Sequence, residues 1–354
     1  MFCRREGASA SSFLRETLRP AVWLGLTAAA VLTLLACVCL GSVNIPLADT
    51  VEVLWKTATR QELPELTAAS ILLHVRLPRV LCVALTGAAL SLCGAAMQGL
   101  LKNPLADGST LGVSSGASLG AALAIALEIR LPGAPFAGTM VMAMLFAFVS
   151  LIVILSLAYR LDGSLSTNTI LLIGVIFSMF VSSLLSLVIT FAADKVQHIT
   201  FWTMGSLAGA SYRNAAVLLG ALVVCGGAIL SQSRELNAFA IGEDNARHIG
   251  VPVRRVKLTI LIAVSALIGV CVSIGGSIGF VGLVAPHMVR MLTGPNHRRL
   301  LPACLLGGAV FLMAGDLVAR MILRPLELPI GVVTSLIGSV LFVILFYQSR
   351  RKGV

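Results

Sequence analysis

Ten stretches of this chain are apolar over most of the length a lipid bilayer demands. They cover residues 21–43, 80–101, 109–127, 136–158, 169–193, 215–230, 258–274, 278–292, 300–323 and 328–347. A helix needs about 20 such residues, at 1.5 Å each, to cross the hydrocarbon layer. The two shortest runs, ending near residue 230 and starting at 278, have apolar or small flanks that extend them. Lipid offers no water to unpaired backbone groups, and none of the runs alternates as a strand would, so helices are the only spanning element available. Charged residues make up 12% of the chain, where a soluble domain carries about 25%. The expected fold is therefore an all-α polytopic membrane protein of about ten transmembrane helices.

Orientation follows from the basic residues. With the N-terminus inside, 17 of the 26 Lys and Arg fall on inner segments and eight of the 15 acids fall outside. This is the positive-inside bias. It places both termini in the cytoplasm and accounts for the net charge of +11 without a nucleic-acid partner. Arg15 and Arg19 before an apolar run ending Leu34-Leu-Ala-Cys37 have the look of a secretory or lipoprotein signal, but the run continues past Cys37 and reads as a full span. The division expected is a cytoplasmic tail (1–20), one ten-helix membrane domain (21–348) and a second tail (349–354). The eight cysteines lie almost entirely in apolar runs without ligand spacing, as small core residues do.

Three loops are long enough to hold structure: 44–75 and 192–214 outside, and 231–257 inside. The inner one, SQSRELNAFAIGEDNARHIGVPVRRVK, fits two short amphipathic helices broken near Gly242. Displaying Phe239, Ile241 and Ile249 to water would gain nothing, so a covering partner is expected. No Gly-x-x-x-x-Gly-Lys-Ser/Thr loop is present to hold ATP phosphates.

The segment GSIGFVGLVAPHMVR (276–290) interrupts an apolar run. Gly276, Gly279 and Gly282 allow close helix contact, and Pro286 removes a helix hydrogen bond. His287 and Arg290 lie three apart on one face near the inner surface, where positive charge complements a helix C-terminus. Asn103-Pro104 ends the second span similarly, and Gly108, Gly112, Gly116 and Gly120 recur every four residues along the third. Spans 2–5 and 7–10 form two four-helix sets that start five spans apart and so run in opposite directions, an inverted-repeat architecture common in transporters. Arg76 and Arg79 stand just before the second span and Arg320 near the outer end of the ninth, positions suited to interfacial snorkelling. Arg320 also has Asp316 one turn away as a partner. Ser166-Thr167-Asn168 before an apolar run is an N-cap.

RLPR (76–79), GAALSLCGAAMQGLLKNPLADGSTLGVSSGASLG from Gly87, FAIGEDNARHIGVP from Phe239, GFVGLVAPHMVR from Gly279, GDLVAR from Gly315 and ELPIGVVTSLIGSVLF from Glu327 resemble, in order and spacing, the FecCD-type permease of ABC importers for iron chelates (siderophores), haem and cobalamin. The resemblance spans roughly residues 44–346. It implies a permease homodimer, or a pair with a paralogous permease, in the bacterial inner membrane, together with two cytoplasmic ATPases and a periplasmic binding protein. ATP and Mg would sit on the ATPases, and no cofactor on this chain. It further implies that Arg76, Arg79 and Arg320 dock the binding protein, that Ser166 and Thr167 narrow the pore at the cytoplasmic side, and that Phe239, Gly242, Glu243, Ala246 and Gly250 couple to the ATPase. A secondary carrier should instead show ion-binding acids in mid-membrane, and a membrane enzyme a convergent cluster of His, Asp, Glu or Cys.

Overall fold

The computed structural model describes residues 6–41, 45–59, 61, 67–129, 137–163 and 166–351; the ends of both expected tails and two residues of the turn before Ser166 lie outside them. Among the described residues every regular element is helical. Ten helices fall on the ten apolar runs: α1 (Glu6–Cys39), α2 (Leu77–Leu101), α3 (Val113–Ala126), α4 (Ala137–Leu161), α5 (Thr167–Phe191), α6 (Tyr212–Ala221, extended to Ser231 through a wide turn), α7 (Val253–Gly275), α8 (Val281–Thr293), α9 (His297–Met321) and α10 (Ile330–Arg351). Seven of these stretches are long and apolar enough to cross a membrane, and α3 and the Ile330–Leu345 part of α10 supply shorter apolar helices.

The packing has the symmetry expected of inverted halves. Helix α2 lies against α9, and α7 against α4; α3 packs on α4 as α8 packs on α9; α3 meets α5 as α8 meets α10; α2 touches α8 as α7 touches α3. Exchanging each helix of the first half with the one five numbers later maps every pair onto its counterpart. The correspondence reaches the backbone: α3 and α8 are each preceded by a residue in the left-handed region, Gly112 (φ 80°) and Phe280 (φ 65°). Helices α2 and α7 are the most enclosed of the ten, while α5 and α10 turn Ile176, Met179, Phe180, Val340 and Val343 outward.

Several helix starts depart from the hydropathy reading, α1 reaching back to Glu6 and α7 to Val253 among them, and at three the backbone path itself changes. The second span begins earlier than residue 80, because helix runs through Thr67–Ser70 and a π turn at Ile71–Arg76 directly into α2. Pro78 has no N–H to give the ladder, and the widened turn lies just ahead of it. Arg76 and Arg79 thus lie within a helix, not in front of one. The third span starts at Val113 instead of 109, after a short 3₁₀ turn over Gly108–Leu111. The eighth starts at Val281, after residues 276–280 leave the helical path.

Glycine lets these helices touch at the backbone. A Cβ on Gly94 of α2 would stand 1.8 Å from the carbonyl oxygen of Gly282 on α8, and one on Gly87 would stand 2.3 Å from that of Gly308 on α9. Gly116 and Gly120 meet α4 in the same way. In lipid, where apolar burial drives little association between helices, this contact is a main source of cohesion. Gly94→Ala should therefore destabilise the fold by about 1–3 kcal/mol through overpacking. Gly220→Ala, with nothing within 4 Å, should be neutral or stabilising by roughly 0.5–1 kcal/mol. Melting temperatures of the two variants in detergent would check the contrast.

Candidate functional site

Helix α2 connects two polar regions at opposite ends of the bundle. At its N-terminal end, Arg79 donates from Nε and Nη2 to Oδ1 of Asp316 at 3.1 and 2.9 Å, and from Nη1 to Oε2 of Glu327 at 2.7 Å. Arg320 pairs through Nε with Oδ2 of the same aspartate at 2.9 Å, one turn along α9. Asp316 is only 1% exposed, so its charge rests on these two guanidiniums. The remaining donors turn to α1. Arg320 donates to the carbonyls of Cys37 and Leu40 at 3.3 Å, and Arg76 to those of Val38 and Cys39 at 2.8 and 3.1 Å. The last carbonyls of a helix have no partners within it and form its negative pole. Two arginines occupy that position here.

Arg76, Arg79 and Arg320 are all buried. The snorkelling geometry expected for them is corrected: each guanidinium turns inward to a partner within the chain. The Asp316–Arg320 pairing anticipated at one-turn spacing is present. Glu327, which the sequence reading left without a role, proves to be a second carboxylate of the cluster. Its signal was its place in the ELPIG motif.

At the other end, Lys102 caps α2 in the left-handed region (φ 50°), and the Asn103 side chain accepts from the Leu105 N–H at 2.9 Å, forming the turn that carries Pro104. Arg290 on α8 donates to Gln98 of α2 at 3.0 Å, and Gln98 reaches back to the carbonyls of Gly282 and Leu283. Gly282 packs beside the Asp107 carboxylate, and a Cβ added at Gly279 would stand 3.4 Å from the Ser335 hydroxyl. Pro286 lies inside α8, and the ring of the half-buried His287 meets Phe342 of α10 edge-on at 6.1 Å. These residues brace α8 between α2 and α10.

The loop after α6 folds into two short helices, Ser233–Phe239 and Glu243–His248, with a break at Gly242 (φ 118°). That much matches the sequence reading. Phe239 does not: its side chain is fully buried, as is Ala246, and they anchor the loop instead of facing a partner. A large ring pointed into the bundle costs nothing to hide, and the loop's amphipathic pattern already has this inward face. Ile241 and Ile249 are the residues left outside, 58% and 63% exposed, just before and just after the second helix. Gly250 follows with φ 88°. The Glu243 carboxylate bonds Lys257 on α7 at 2.7 Å, and Asn237 accepts from the His297 N–H at 2.9 Å while donating to Asn296, the N-cap of α9.

Ser166 is the N-cap of α5: its hydroxyl accepts from the Thr169 N–H, and its own N–H donates to Asp162 at 3.0 Å. Thr167 opens the helix. Asp162, four residues upstream, was not singled out in the sequence. Among the described residues the arginine cluster, the Ser166 turn and the Gly242 loop form three separate sites.

Removing the shared aspartate is the sharpest test of the first cluster. Asp316→Asn should cost about 3–5 kcal/mol, since it leaves two buried guanidiniums short of their common counter-charge. Glu327→Gln, at a side chain one-third exposed, should cost under about 1 kcal/mol. Thermal unfolding in detergent would report both.

Residues 29–348 match the model of the FecCD transport family. The chain is 36% identical to the hemin transport system permease protein HmuU of Yersinia pestis, over 94% of this chain and 98% of that one. It is likewise 36% identical to the vitamin B12 import system permease protein BtuC of Klebsiella pneumoniae, over 94% and 95%. A solved inward-facing conformation of a metal-chelate type ABC transporter superposes with a TM-score of 0.81 at 31% identity, covering 93% of this chain and 99% of that one. With eight of its described helices in two inverted halves of four and a family match over nine-tenths of its length, the chain belongs to the FecCD transport family, as a permease of the ABC importer type.

Proposed function

We propose that two copies of this chain form the passage by which a metal chelate enters the cytoplasm, with a ferric siderophore as the first candidate cargo and haem or cobalamin next. A separate ATPase supplies the energy from the Gly242 side, and a binding protein delivers the cargo at the arginine end. The exposed pair Ile241 and Ile249 carries the reading. A short helix tied to α7 and flanked by two uncovered isoleucines, at the opposite end of α2 from the arginine cluster, is suited to a partner that pushes on the bundle. Two ATPases call for two such helices and hence for a twofold pair of permeases.

The same geometry sets the terms of delivery. Arg76, Arg79 and Arg320 carry one more charge than Asp316 and Glu327 cancel, so the mouth keeps a positive bias that would steer an acidic partner. An approaching carboxylate competes with bonds already made, and this favours fast, reversible docking. The spans carry few charged side chains able to coordinate a bare ion, and a chelate brings its own ligands. In this arrangement the Ser166 turn, rigid through its cap and Asp162, narrows the inner end of the passage.

Reconstitution in liposomes separates this from a secondary carrier. Uptake should require the chain, the ATPase and the binding protein together and should stop with vanadate; accumulation by the chain alone would refute the reading. The colour of the ligand that the purified binding protein retains assigns the cargo, and a colourless oxyanion in its place would overturn the chelate assignment. For the gate, cysteines introduced at Ser166 in both copies should crosslink and block uptake. Absence of a crosslink in every nucleotide state would remove Ser166 from the passage.

A further inference from the structure

Lys257 has no assigned role, and its setting is unusual. It lies in the first turns of α7 with its side chain 1% exposed. Its ammonium meets both oxygens of Glu243, at 2.7 and 2.8 Å. Glu243 is the first residue of the short helix Glu243–His248 and is 26% exposed. A lysine with four methylenes usually snorkels to water, and this one is held inward by a carboxylate from another element. The carboxylate at the helix N-terminus also complements the helix dipole. Ala246, one turn along, is fully buried on the same side.

We infer that Lys257 is a positioning residue for energy coupling: its ion pair with Glu243 clips the ATPase-facing helix to α7, so that the two move as one body. The inference rests on the proposed ATPase contact and deepens it. Glu243 then acts by holding the helix to the bundle, and the contact with the ATPase falls to the outward residues Ile241 and Ile249. Helix α7 is the natural recipient, since it is among the most enclosed helices and packs on α2, α3, α4 and α6. A displacement entering at the clip reaches both halves of the permease. Without the clip the segment has Gly242 and Gly250, both in the left-handed region of φ, at either end, and these become swivels.

The asymmetry in exposure sets the variants. Glu243→Gln leaves a buried ammonium without this carboxylate and is the harsher change. Lys257→Met leaves a carboxylate that water already reaches. Removing both charges together, in Lys257→Met/Glu243→Gln, largely spares folding while abolishing the clip, and the swap Lys257→Glu/Glu243→Lys restores it.

The test uses the full complex in liposomes, with spin labels on the exposed His248, at the end of the short helix, and on the exposed Ile262 of α7. The wild-type pair should show one narrow distance, the same without nucleotide and after trapping with MgATP and vanadate. The doubly neutral variant should show a broadened distance that shifts on trapping. Its ATP hydrolysis should persist within about twofold, its melting temperature should hold, and stimulation of hydrolysis by the binding protein should fall at least fivefold. The charge swap should recover the narrow distance and most of that stimulation. A doubly neutral variant with wild-type distance and stimulation overturns the clip, as does a wild-type distance that changes on trapping. The ATPase contact is read separately. If the His248 label, beside Ile249, is not immobilised when the ATPase is added to the otherwise wild-type permease, that contact is refuted whatever the distances show.

Discussion

Backbone contact between α2 and its neighbours α8 and α9 is the constraint on which the rest of the bundle depends. At Gly94–Gly282 and Gly87–Gly308 there is no room for even a methyl group. In a bilayer, burying Leu against Leu gains little over leaving it in lipid, so cohesion comes from dispersion at short range and from polar groups satisfied between helices. Close approach also lets Gln98 reach the carbonyls of α8, and it brings Arg79 to Asp316, 237 residues further along the chain. The polar clusters at the two ends therefore depend on the apolar middle. Had α2 and α9 been spaced by Leu side chains, the arginine cluster would have no common counter-charge.

The ten runs and the inverted pairing were legible because they rest on properties that hydropathy and spacing record, and the family because six motifs resemble it in order. Span length is set by membrane thickness, and the glycine repeat at residues 108–120 states its own purpose. The starts of three helices were not legible in the same way. Hydropathy follows side chains, whereas the break at 276–280 and the π turn before Leu77 are backbone events within equally apolar sequence. Phe239 was misplaced for a related reason. An amphipathic segment has two faces, and the sequence alone left open which of Phe239, Ile241 and Ile249 turned inward.

Charged residues were the least readable. An arginine at the edge of an apolar run normally reaches for water, and that expectation placed Arg76, Arg79 and Arg320 at the surface. What draws them inward is a set of partners remote in sequence: Asp316, Glu327 and the terminal carbonyls of α1. Only the Asp316–Arg320 pair, four residues apart on one helix, could be anticipated. Lys257 was likewise counted with a loop, because its counter-charge lies 14 positions earlier across a turn.

Helix α1 stands outside the inverted repeat, and this has a mechanical result. By lending its terminal carbonyls to Arg76 and Arg320, it sews α2 and α9 together along one edge of the bundle. Across the pseudo-symmetry, the equivalent pair α7 and α4 is joined directly, with the Arg254 guanidinium of α7 5.0 Å over the Tyr159 ring of α4. The two margins are thus fastened by different means, one by buried hydrogen bonds to a helix end and the other by a cation resting on an aromatic ring. Parting α2 from α9 along the sewn edge would strand buried guanidiniums and helix-end carbonyls together, so that edge resists opening.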